Sequence, residues 1–356
     1  MAKTHIQEGF VKFTKLLFMI IYLFLGQVVL AQQRSQLKVL QINIWQEGTM
    51  VPDGFPAIAD EIIAKKADVV LFSEVRNYNN TDFVKRILAE LKNKDALYYG
   101  ISSEPSLDVA FISKFPIKDQ KPLYTEANKV GNVLKSKIQV AGRNFTFYAV
   151  HLDYTNYACY LPRGYDGVTW KKLDQPIVDV TSIIEANRKG KRDEAVRDII
   201  LDADKEGKSE TIVVAGDFNE PSHLDWTSET KDLFDHRGAV VPWDCSVLLT
   251  KAGFVDSFRE KYPHPVSHPG FTYPAYNKDV SIDKLAWASQ SDDRDRIDYV
   301  YYRTNKPLKV SEVKIVGPSG TVKYGKKQDE DSQDEFLLPV GVWPTDHKAL
   351  FVKFEF

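Results

Sequence analysis

Short apolar runs alternate along the chain with stretches whose apolar positions follow the spacing of a helix. Residues 36–45 alternate apolar and polar side chains as a strand does, and residues 67–75 form a second, largely apolar strand. Between them, residues 55–67 place apolar side chains on one face of a helix. A strand, a helix and a strand in succession predict a right-handed crossover, which brings the ends of both strands to the same edge of a sheet.

The rest of the chain continues this mixture of strands and helices. Residues 212–215 are a continuous apolar run, typical of a strand buried on both faces, and Gly216 is expected to end it in a tight turn. The segments 133–140 and 143–150 alternate and are separated by Ala-Gly, which predicts a hairpin. Further strands are predicted at 108–117, at 294–302 and after residue 347. Helices are predicted at 81–92, with Thr81 as the cap, at 179–205, with Arg192 and Asp202 facing outward, and at 246–253. Residues 317–335 are expected to form a polar, mobile loop.

Composition and length favour one globular domain. The chain has 356 residues, of which 43% are apolar and 27% are charged, and these values are ordinary for a globular protein. No linker rich in Pro, Gly or Ser divides it, and no internal repeat is present. We therefore expect residues 32–356 to form a single, monomeric domain of the α/β class.

The first 31 residues differ from the rest and are typical of a secretory signal peptide. Three lysines precede or begin a short apolar run at 16–25, and small or modest residues follow at 29–31. A single membrane anchor is the alternative, but the run is short for a span and Gly26-Gln27 interrupts it. We predict cleavage after residue 31, export to the periplasm or the medium, and no stable membrane insertion afterwards.

Charge and cysteine content limit the partners and cross-links of the mature chain. Residues 1–31 contain three Lys and one Glu, so the remainder has a formal charge near −4. That charge does not favour a polyanion as partner, although a local basic patch could still bind nucleic acid. Cys159 and Cys245 could pair in an exported protein, but the sequence does not set their distance, and we expect two unpaired thiols.

Polar side chains recur where the predicted strands begin or end. Asp217 and Asn219 follow the run at 212–215, so both could point into one crevice, and a turn with solvated side chains is the alternative. Glu74 closes a buried strand, where a carboxylate is costly unless it is paired or binds a metal. The other such residues are Asn43, His151, Asp298, Asp346 and His347. Each has a structural alternative, but their joint placement indicates one functional site.

Seven short blocks around these residues resemble the endonuclease/exonuclease/phosphatase superfamily, and the resemblance covers about residues 37–356. They are Gln-Ile-Asn-Ile-Trp at 41–45, Phe-Ser-Glu-Val at 72–75, Val-Ala-Phe-Ile-Ser-Lys-Phe-Pro-Ile at 109–117, Val-His-Leu-Asp at 150–153, Gly-Asp-Phe-Asn-Glu-Pro at 216–221, Arg-Ile-Asp-Tyr-Val at 296–300 and Thr-Asp-His at 345–347. The resemblance implies a four-layered α/β sandwich, in which two mixed β-sheets face each other with helices outside. It also implies metal-assisted hydrolysis of a phosphoester.

The resemblance further implies a role for each site residue. Glu74 would be the chief ligand of a Mg²⁺ or Mn²⁺ ion, with Asn43 and Asp346 close to it, because such hard cations prefer oxygen ligands. The ion would neutralise phosphate charge and polarise the phosphorus–oxygen bond.

The remaining residues of the implied set act on water and phosphate. Asp217 would position or deprotonate the attacking water, with Asn219 orienting it. His347 would contact the phosphate while Asp298 holds its ring, and His151 would add a second donor to the transition state. Whether Asp217 or the His347–Asp298 pair is the base stays open, with Asp217 favoured.

The substrate is less clearly indicated than the reaction. The stretch 154–170 is rich in tyrosine and is expected either to wall the site, with Tyr154 and Arg163 binding substrate, or to pack its rings on the body of the domain. The sequence shows no dense Lys/Arg stripe beside these motifs, so we favour a small-molecule or lipid-like phosphoester over nucleic acid. An extracellular nuclease is the alternative, and a catalytically dead binding module is the third hypothesis.

Overall fold

The computed structural model describes residues 35–102, 104, 106–123 and 132–356, and Leu37–Glu355 form one compact unit within it. The segment predicted to be a signal peptide, residues 1–31, lies outside the described residues. Across the described ranges, no helix combines the length and the apolar character that a membrane span requires.

Strands and helices alternate along the chain. The strands are β1 (Gln36–Asn43), β2 (Val69–Ser73), β3 (Tyr99–Gly100), β4 (Val109–Ser113), β5 (Ile117–Pro122), β6 (Asn132–Val140), β7 (Arg143–His151), β8 (Thr211–Asp217), β9 (Val255–Asp256), β10 (Asp298–Thr304), β11 (Lys309–Val316), β12 (Thr321–Lys323), β13 (Lys326–Gln328), β14 (Phe336–Leu337) and β15 (Ala349–Glu355). The α-helices are α1 (Gly54–Ala64), α2 (Phe83–Asn93), α3 (Val180–Arg188), α4 (Arg192–Ala203), α5 (Asp244–Lys251) and α6 (Ser257–Lys261), and short 3₁₀ turns occur at Tyr78–Asn80, Ala158–Tyr160 and Ile282–Lys284.

Two large mixed sheets form the centre of the fold. In the part of the chain that the structure describes, one sheet has seven strands in the order β14-β11-β15-β1-β2-β4-β3, and the other has six in the order β5-β6-β7-β8-β10-β9. β1 and β2 are parallel, as the predicted crossover requires, whereas β4 is antiparallel to β2. In the second sheet, β8 lies between the parallel β7 and the antiparallel β10.

The two sheets pack face to face and carry helices on their outer faces. Between them, the rings of Phe111 and Phe147 lie 5.3 Å apart, and the Ser73 hydroxyl donates to the Val150 carbonyl oxygen at 2.9 Å. Apolar residues of α1 and α2 pack on the seven-stranded sheet, and those of α4 and α5 pack on the six-stranded sheet. The arrangement confirms the four-layered α/β sandwich.

Strand register places the polar strand ends side by side. In the six-stranded sheet, His151, Asp217 and Asp298 are direct neighbours across β7, β8 and β10. In the seven-stranded sheet, Asn43 is paired with Ser73, the residue before Glu74. The fold therefore collects, at one edge of the sandwich, side chains that are far apart in sequence.

Gly216 lies inside β8 and not in a turn after it, so that prediction was wrong. The strand continues through Asp217, and Gly216 is paired with Val150 of β7. A Cβ at position 216 would lie 1.8 Å from the Val150 carbonyl oxygen, well inside van der Waals contact. Glycine is needed here because only a residue without a side chain lets the two backbones approach so closely.

Two other local predictions also need correction. The cap of α2 is Asp82 and not Thr81, because the Asp82 carboxylate accepts the Lys85 N–H at 3.1 Å. Residues 317–335 are not simply a loop, since β12 and β13 pair there as an antiparallel hairpin with Val322 buried.

Arg192 and Asp202 of α4 are buried, although both were expected to face outward. The Arg192 guanidinium donates to the carbonyl oxygens of Asp153 and Thr155 at 2.6 and 2.8 Å, which ties down the chain just after β7. The Asp202 carboxylate accepts the Tyr148 hydroxyl at 2.7 Å. Partners from distant segments explain why both side chains are buried, and the sequence of one helix does not reveal such partners.

Cys159 and Cys245 are buried and unpaired.

Candidate active site

The polar strand ends open into a cavity of about 360 Å³. Seven of the sequence-predicted site residues line it: Glu74, His151, Tyr154, Asp217, Asn219, Asp346 and His347. Asn43 and Asp298 are fully buried and contact these lining residues from behind. The cavity is completed by Trp45, Gln46, Arg76, Tyr157, Tyr160, Trp170, Tyr273, Trp287 and Ile297.

Asp217 lies between two histidines. Its Oδ2 atom is 3.9 Å from Nε2 of His151 and 3.9 Å from Nε2 of His347. The same oxygen accepts a hydrogen bond from Asn43 Nδ2 at 2.9 Å, and Oδ1 accepts the Asn219 N–H at 2.8 Å. The carboxylate is thus held in one orientation, with two imidazole rings near one oxygen.

The His347 ring is fixed by a buried carboxylate. Its Nδ1 atom lies 2.9 Å from Asp298 Oδ2, and the other oxygen of Asp298 accepts a hydrogen bond from Gln41 Nε2 at 2.8 Å. Burial alone would lower the pKa of His347, but Asp298 and then Asp217 favour the charged ring and raise the pKa to about 10. His347 is therefore an imidazolium at neutral pH, and its second N–H faces the cavity.

His151 has an equivalent partner that the sequence analysis missed. Asp108, the residue before β4, places Oδ2 at 2.6 Å from His151 Nδ1 and accepts Arg76 Nη1 at 2.7 Å with the same oxygen. Burial lowers the pKa of His151, but Asp108 outweighs it and the pKa rises to about 9. Although burial would raise the pKa of Asp108, His151 and Arg76 bring it below its usual value.

The pKa of Asp217 is placed where a general base operates. Burial and the nearby Asp298 raise it, His347 and His151 lower it, and it settles at about 6. A carboxylate with that pKa is largely ionised at neutral pH and is far more basic than an exposed aspartate. The side chain can therefore accept a proton from a group bound beside it.

Glu74 projects into the cavity from a strained backbone position. Its φ angle is +67°, a left-handed conformation that is unfavourable for a residue with a side chain. Neighbouring contacts hold it: Oε2 accepts the Gln46 N–H at 3.1 Å, and Oε1 accepts Asn43 Nδ2 at 3.2 Å. Arg76 Nη2 lies 3.5 Å from Oε2. The turn after β2 therefore aims this carboxylate instead of letting it point to solvent.

Glu74 and Asp346 present carboxylate oxygens that fit a hard divalent cation. Burial raises the pKa of Asp346, His347 lowers it and the negative Glu74 raises it again, to about 7. Such a raised pKa means that the protein does not fully compensate the buried negative charge, and a Mg²⁺ or Mn²⁺ ion would do so. The donor set therefore fits the implied metal.

Asn43 is oriented differently from the metal ligand that was expected. Its Oδ1 atom accepts the Trp45 N–H at 2.9 Å, while Nδ2 donates to Glu74 and Asp217. In this orientation the amide braces two carboxylates and does not present its oxygen to an ion.

A second cluster, formed by Asp217, Asp298 and His347, brings its potential ligand atoms within 4.8 Å of one another. Both Asp298 oxygens already accept hydrogen bonds, and the ring nitrogen nearest to them is one of the donors. The cluster is therefore a charged hydrogen-bonded network, and Glu74 with Asp346 is the better place for a cation.

The tyrosine-rich segment 154–170 contributes both to the cavity wall and to the core. Tyr154 and Trp170 line the cavity, with ring centroids 6.4 Å apart. Tyr165, in contrast, is buried in an apolar cluster with Trp226 and Trp243. The two alternatives that the sequence left open are thus both realised, by different residues of the segment.

Arg163 lies away from the cavity, so the expectation that it binds substrate is corrected. Its guanidinium is completely buried, donates to Asp295 Oδ2 at 2.5 Å and to the Arg294 carbonyl oxygen at 3.0 Å, and lies over the Trp226 ring. A charge this well paired inside the protein anchors the segment 154–170 and is not available to a ligand.

Two residues near the cavity, Asp108 and Arg76, are absent from the set predicted from the sequence. Asp108 precedes an antiparallel strand whose amino end lies beside the carboxyl end of β2, so a rule based on carboxyl ends alone misses it. Arg76 follows Glu74 by two residues and could have been found from that spacing. Tyr273 and Trp287 come from irregular segments and carry no local signal.

Comparisons with known proteins agree with this architecture. The sequence model of the Endonuclease/Exonuclease/phosphatase family matches residues 40–347. An uncharacterized protein of Caenorhabditis elegans, F14F9.5, is 29% identical over 329 residues, which are 90% of this chain and 91% of that protein.

Solved structures show the same fold at low sequence identity. D. rerio TDP2 complexed with a single strand DNA product has a TM-score of 0.51 and 12% identity, with 90% of this chain and 99% of that chain covered. D. rerio TDP2 humanized by 14 mutations has a TM-score of 0.50 and 13% identity, with 90% and 98% covered. Since the family model spans most of the chain, this protein belongs to the endonuclease/exonuclease/phosphatase family, whose members are phosphoester hydrolases.

Proposed function

We propose that this protein is a divalent-metal-dependent hydrolase of a small-molecule or lipid-like phosphoester. The observation that carries the proposal is the position of Asp217, whose Oδ2 atom is 3.9 Å from each of two imidazole nitrogens in a cavity that also holds Glu74 and Asp346. Phosphoester hydrolysis requires a group that accepts a proton, donors for an oxyanion and ligands for a cation. Asp217, the two histidines, and Glu74 with Asp346 can fill these three roles.

In the proposed mechanism Asp217 accepts the proton of the attacking water. Its pKa of about 6 suits that role, whereas His347, with a pKa of about 10, already carries a proton at neutral pH. This difference favours Asp217 over the His347–Asp298 pair as the base. The Asn219 N–H holds the Asp217 carboxylate at 2.8 Å and so limits its rotation towards other partners.

The two imidazolium rings stabilise the negative charge that develops on the phosphoryl oxygens. Asp298 and Asp108 fix the rings through Nδ1, so each Nε2–H points towards Asp217 and the cavity. Donors that are oriented before the reaction need no reorganisation in the transition state. Glu74 and Asp346 would hold Mg²⁺ or Mn²⁺, which supplies Lewis-acid polarisation of the phosphoryl group when bound.

The cavity supports a compact substrate with little negative charge beyond the reacting phosphate. Among the described residues that line it, Arg76 is the only Lys or Arg, and Glu74, Asp217 and Asp346 are acidic. A strand of nucleic acid needs cations that follow several phosphates. This contrast is the reason to prefer a small or lipid-like phosphoester.

A nuclease is the second candidate, and one comparison favours it. A TDP2 structure with a TM-score of 0.51 was determined with a single strand DNA product. In this alternative, basic residues outside the cavity converge on a strand in three dimensions, and hydrolysis falls steeply with salt. A binding module without catalysis is less consistent with the chain, because the acid, base and imidazole set is complete around Asp217.

We also propose that the protein acts outside the cytoplasm, on the strength of the charged, apolar and small-residue pattern of residues 3–31. The proposal is tested by expressing the full chain and sequencing the N-terminus of the secreted product. A mature N-terminus near residue 32 supports it, and retention of an intact Met1 in the cytoplasm contradicts it.

The function is tested by hydrolysis of a substrate panel with Mg²⁺ and with a chelator. Phosphomonoesters, phosphodiesters, phospholipids, mononucleotides and plasmid DNA each report one substrate class. The proposal predicts chelator-sensitive turnover of a small or lipid-like phosphoester. Salt-sensitive cleavage of DNA alone selects the nuclease alternative, and no turnover of any phosphoester contradicts both.

A further inference from the structure

An aromatic rim, consisting of Tyr154, Trp170 and Trp287, borders the candidate active site. Trp170 lies between the other two, with its ring centroid 6.4 Å from Tyr154 and 4.6 Å from Trp287. Tyr154 and Trp287 remain 56% and 53% exposed, although aromatic side chains of this size are usually covered. The rim therefore joins two distant chain segments and keeps aromatic faces open to whatever enters the cavity.

Three more tyrosines form the deeper part of the same cavity wall. Tyr157 and Tyr273 line the cavity with their rings and are 6% and 5% exposed, and the Oη atom of each is buried. Tyr160, also in the wall, donates its hydroxyl to Asp293 at 3.4 Å. The rings of these tyrosines therefore continue the aromatic wall inwards from the rim, while the hydroxyl groups of Tyr157 and Tyr273 are closed off from the cavity.

We propose that the aromatic rim is a subsite for a planar ring carried by the phosphoester substrate, either an aryl group or a nucleobase. The inference rests on the proposed function and narrows its substrate class from a small-molecule or lipid-like phosphoester to a phosphoester that carries a planar ring. In the complex, one face of the ring lies on the rim. The phosphate then lies beside Asp217 and the two histidines.

The composition of the wall favours a ring over an aliphatic chain. Among the described residues of the cavity, Ile297 is the only aliphatic one, whereas seven are Trp or Tyr. Flat faces contact a ring over its whole area, and a flexible chain loses conformational freedom without gaining that overlap. Removal of one stacking partner typically weakens binding of a ring roughly tenfold.

The test compares Trp287→Ala and Tyr154→Ala with Tyr99→Ala, a control that removes a side chain 52% exposed on β3. Each variant is assayed on phenyl phosphate and ethyl phosphate, and on uridine 5′-phosphate and ribose 5-phosphate, so that each pair differs in its ring. We expect KM for the ring-bearing member to rise about tenfold in the rim variants with kcat nearly unchanged, and KM for its partner to stay constant.

A binding measurement separates this inference from the proposed function. Calorimetry with Mg²⁺ and the Asp217→Asn variant measures affinity for the same four compounds without turnover. The subsite is supported if phenyl phosphate or uridine 5′-phosphate binds more tightly than its ringless partner and if adding Trp287→Ala removes that difference in affinity. This result supports the subsite even if none of the four compounds is a good substrate. Equal affinities within both pairs, or an equal effect of Trp287→Ala on all four compounds, overturn it whether or not the protein hydrolyses phosphoesters.

Discussion

Asp217 Oδ2 lies 3.9 Å from His347 Nε2, although Asp217 ends a strand of the six-stranded sheet and His347 lies just before a strand of the seven-stranded sheet. The distance is too long for a direct hydrogen bond, so the carboxylate and the ring N–H can contact the same small group. Because Asp217 ends β8 and His347 precedes β15, the relative position of the two sheets sets this gap. The geometry of the candidate active site therefore depends on how the two sheets pack.

Metal binding should stabilise the protein through Glu74. An ion that binds only the folded state raises the free energy of unfolding by roughly 2.7 kcal/mol at about 100 times its Kd, and we expect this increase with Mg²⁺. In Glu74→Gln that increase should largely disappear, and hydrolysis with it. Differential scanning calorimetry with and without Mg²⁺ measures the effect, and Glu185→Gln, an exposed change on α3, should behave as wild type. Equal metal stabilisation of both variants would argue against a site at Glu74.

Asp108 should stabilise the metal-free protein in a pH-dependent way. It raises the pKa of His151 from its ordinary 6.5 to about 9, against the opposing effect of burial. This contribution is fully present below pH 6.5 and is lost as pH rises through 9. Asp108→Asn should therefore cost on the order of 2 kcal/mol more at pH 6 than at pH 9.5.

The measurement for Asp108 is urea unfolding in chelator from pH 6 to 9.5. The variant also loses the hydrogen bond between Asp108 and Arg76, and the resulting loss of unfolding free energy changes little with pH. The informative quantity is therefore the difference between the stability loss at pH 6 and the loss at pH 9.5. A stability gap that stays constant, or that widens towards high pH, would contradict the assigned His151–Asp108 pair.

Arg163→Leu should destabilise the fold and leave substrate binding unchanged. It leaves the Asp295 carboxylate buried without its cation, which costs about 3–5 kcal/mol. Arg188→Leu is the matched control, because its pair with Asp244 is exposed and is worth about 1 kcal/mol or less. Chemical denaturation and KM are the two readouts. A raised KM with unchanged stability would return Arg163 to the substrate site.

Gly216→Ala should prevent normal folding. The new methyl group would overlap the Val150 carbonyl oxygen at 1.8 Å, so β7 and β8 could pair only after a backbone shift beside the active site. Gly341→Ala is the control, since nothing lies within 4 Å of a Cβ there. We expect a loss of more than about 3 kcal/mol for Gly216→Ala and less than about 1 kcal/mol for the control. A well-folded, fully active Gly216→Ala would contradict the described register.

The strand ends were predictable because their signals are local. The apolar run before Asp217 and the alternation before Asn43 each mark a strand and its end, and the crossover rule adds that the ends share an edge. The seven motif blocks then implied the four-layered sandwich, and the structure confirms it. Prediction succeeded where one continuous segment contains both the element and its boundary.

The partners of these residues could not be predicted in the same way. Asp108 is 43 positions from His151, and Arg163 is 132 positions from Asp295, so no sequence window contains either pair. Without that information a charged side chain is expected to be exposed or to contact a ligand. The sequence therefore predicts a substrate contact for Arg163 and an outward position for Arg192, and both predictions are wrong. The identity of a buried ion pair depends on the tertiary packing that the segments reach only after folding.

The most direct test of the central claim is the turnover rate of Asp217→Asn on the best substrate of the panel, with saturating Mg²⁺. Asparagine keeps the size of the side chain but cannot accept a proton, so kcat should fall about 10²–10⁴-fold while calorimetry still shows a folded protein. Asp119→Asn, an exposed change on β5, serves as the control and should retain full activity. Wild-type kcat in folded Asp217→Asn would contradict the account.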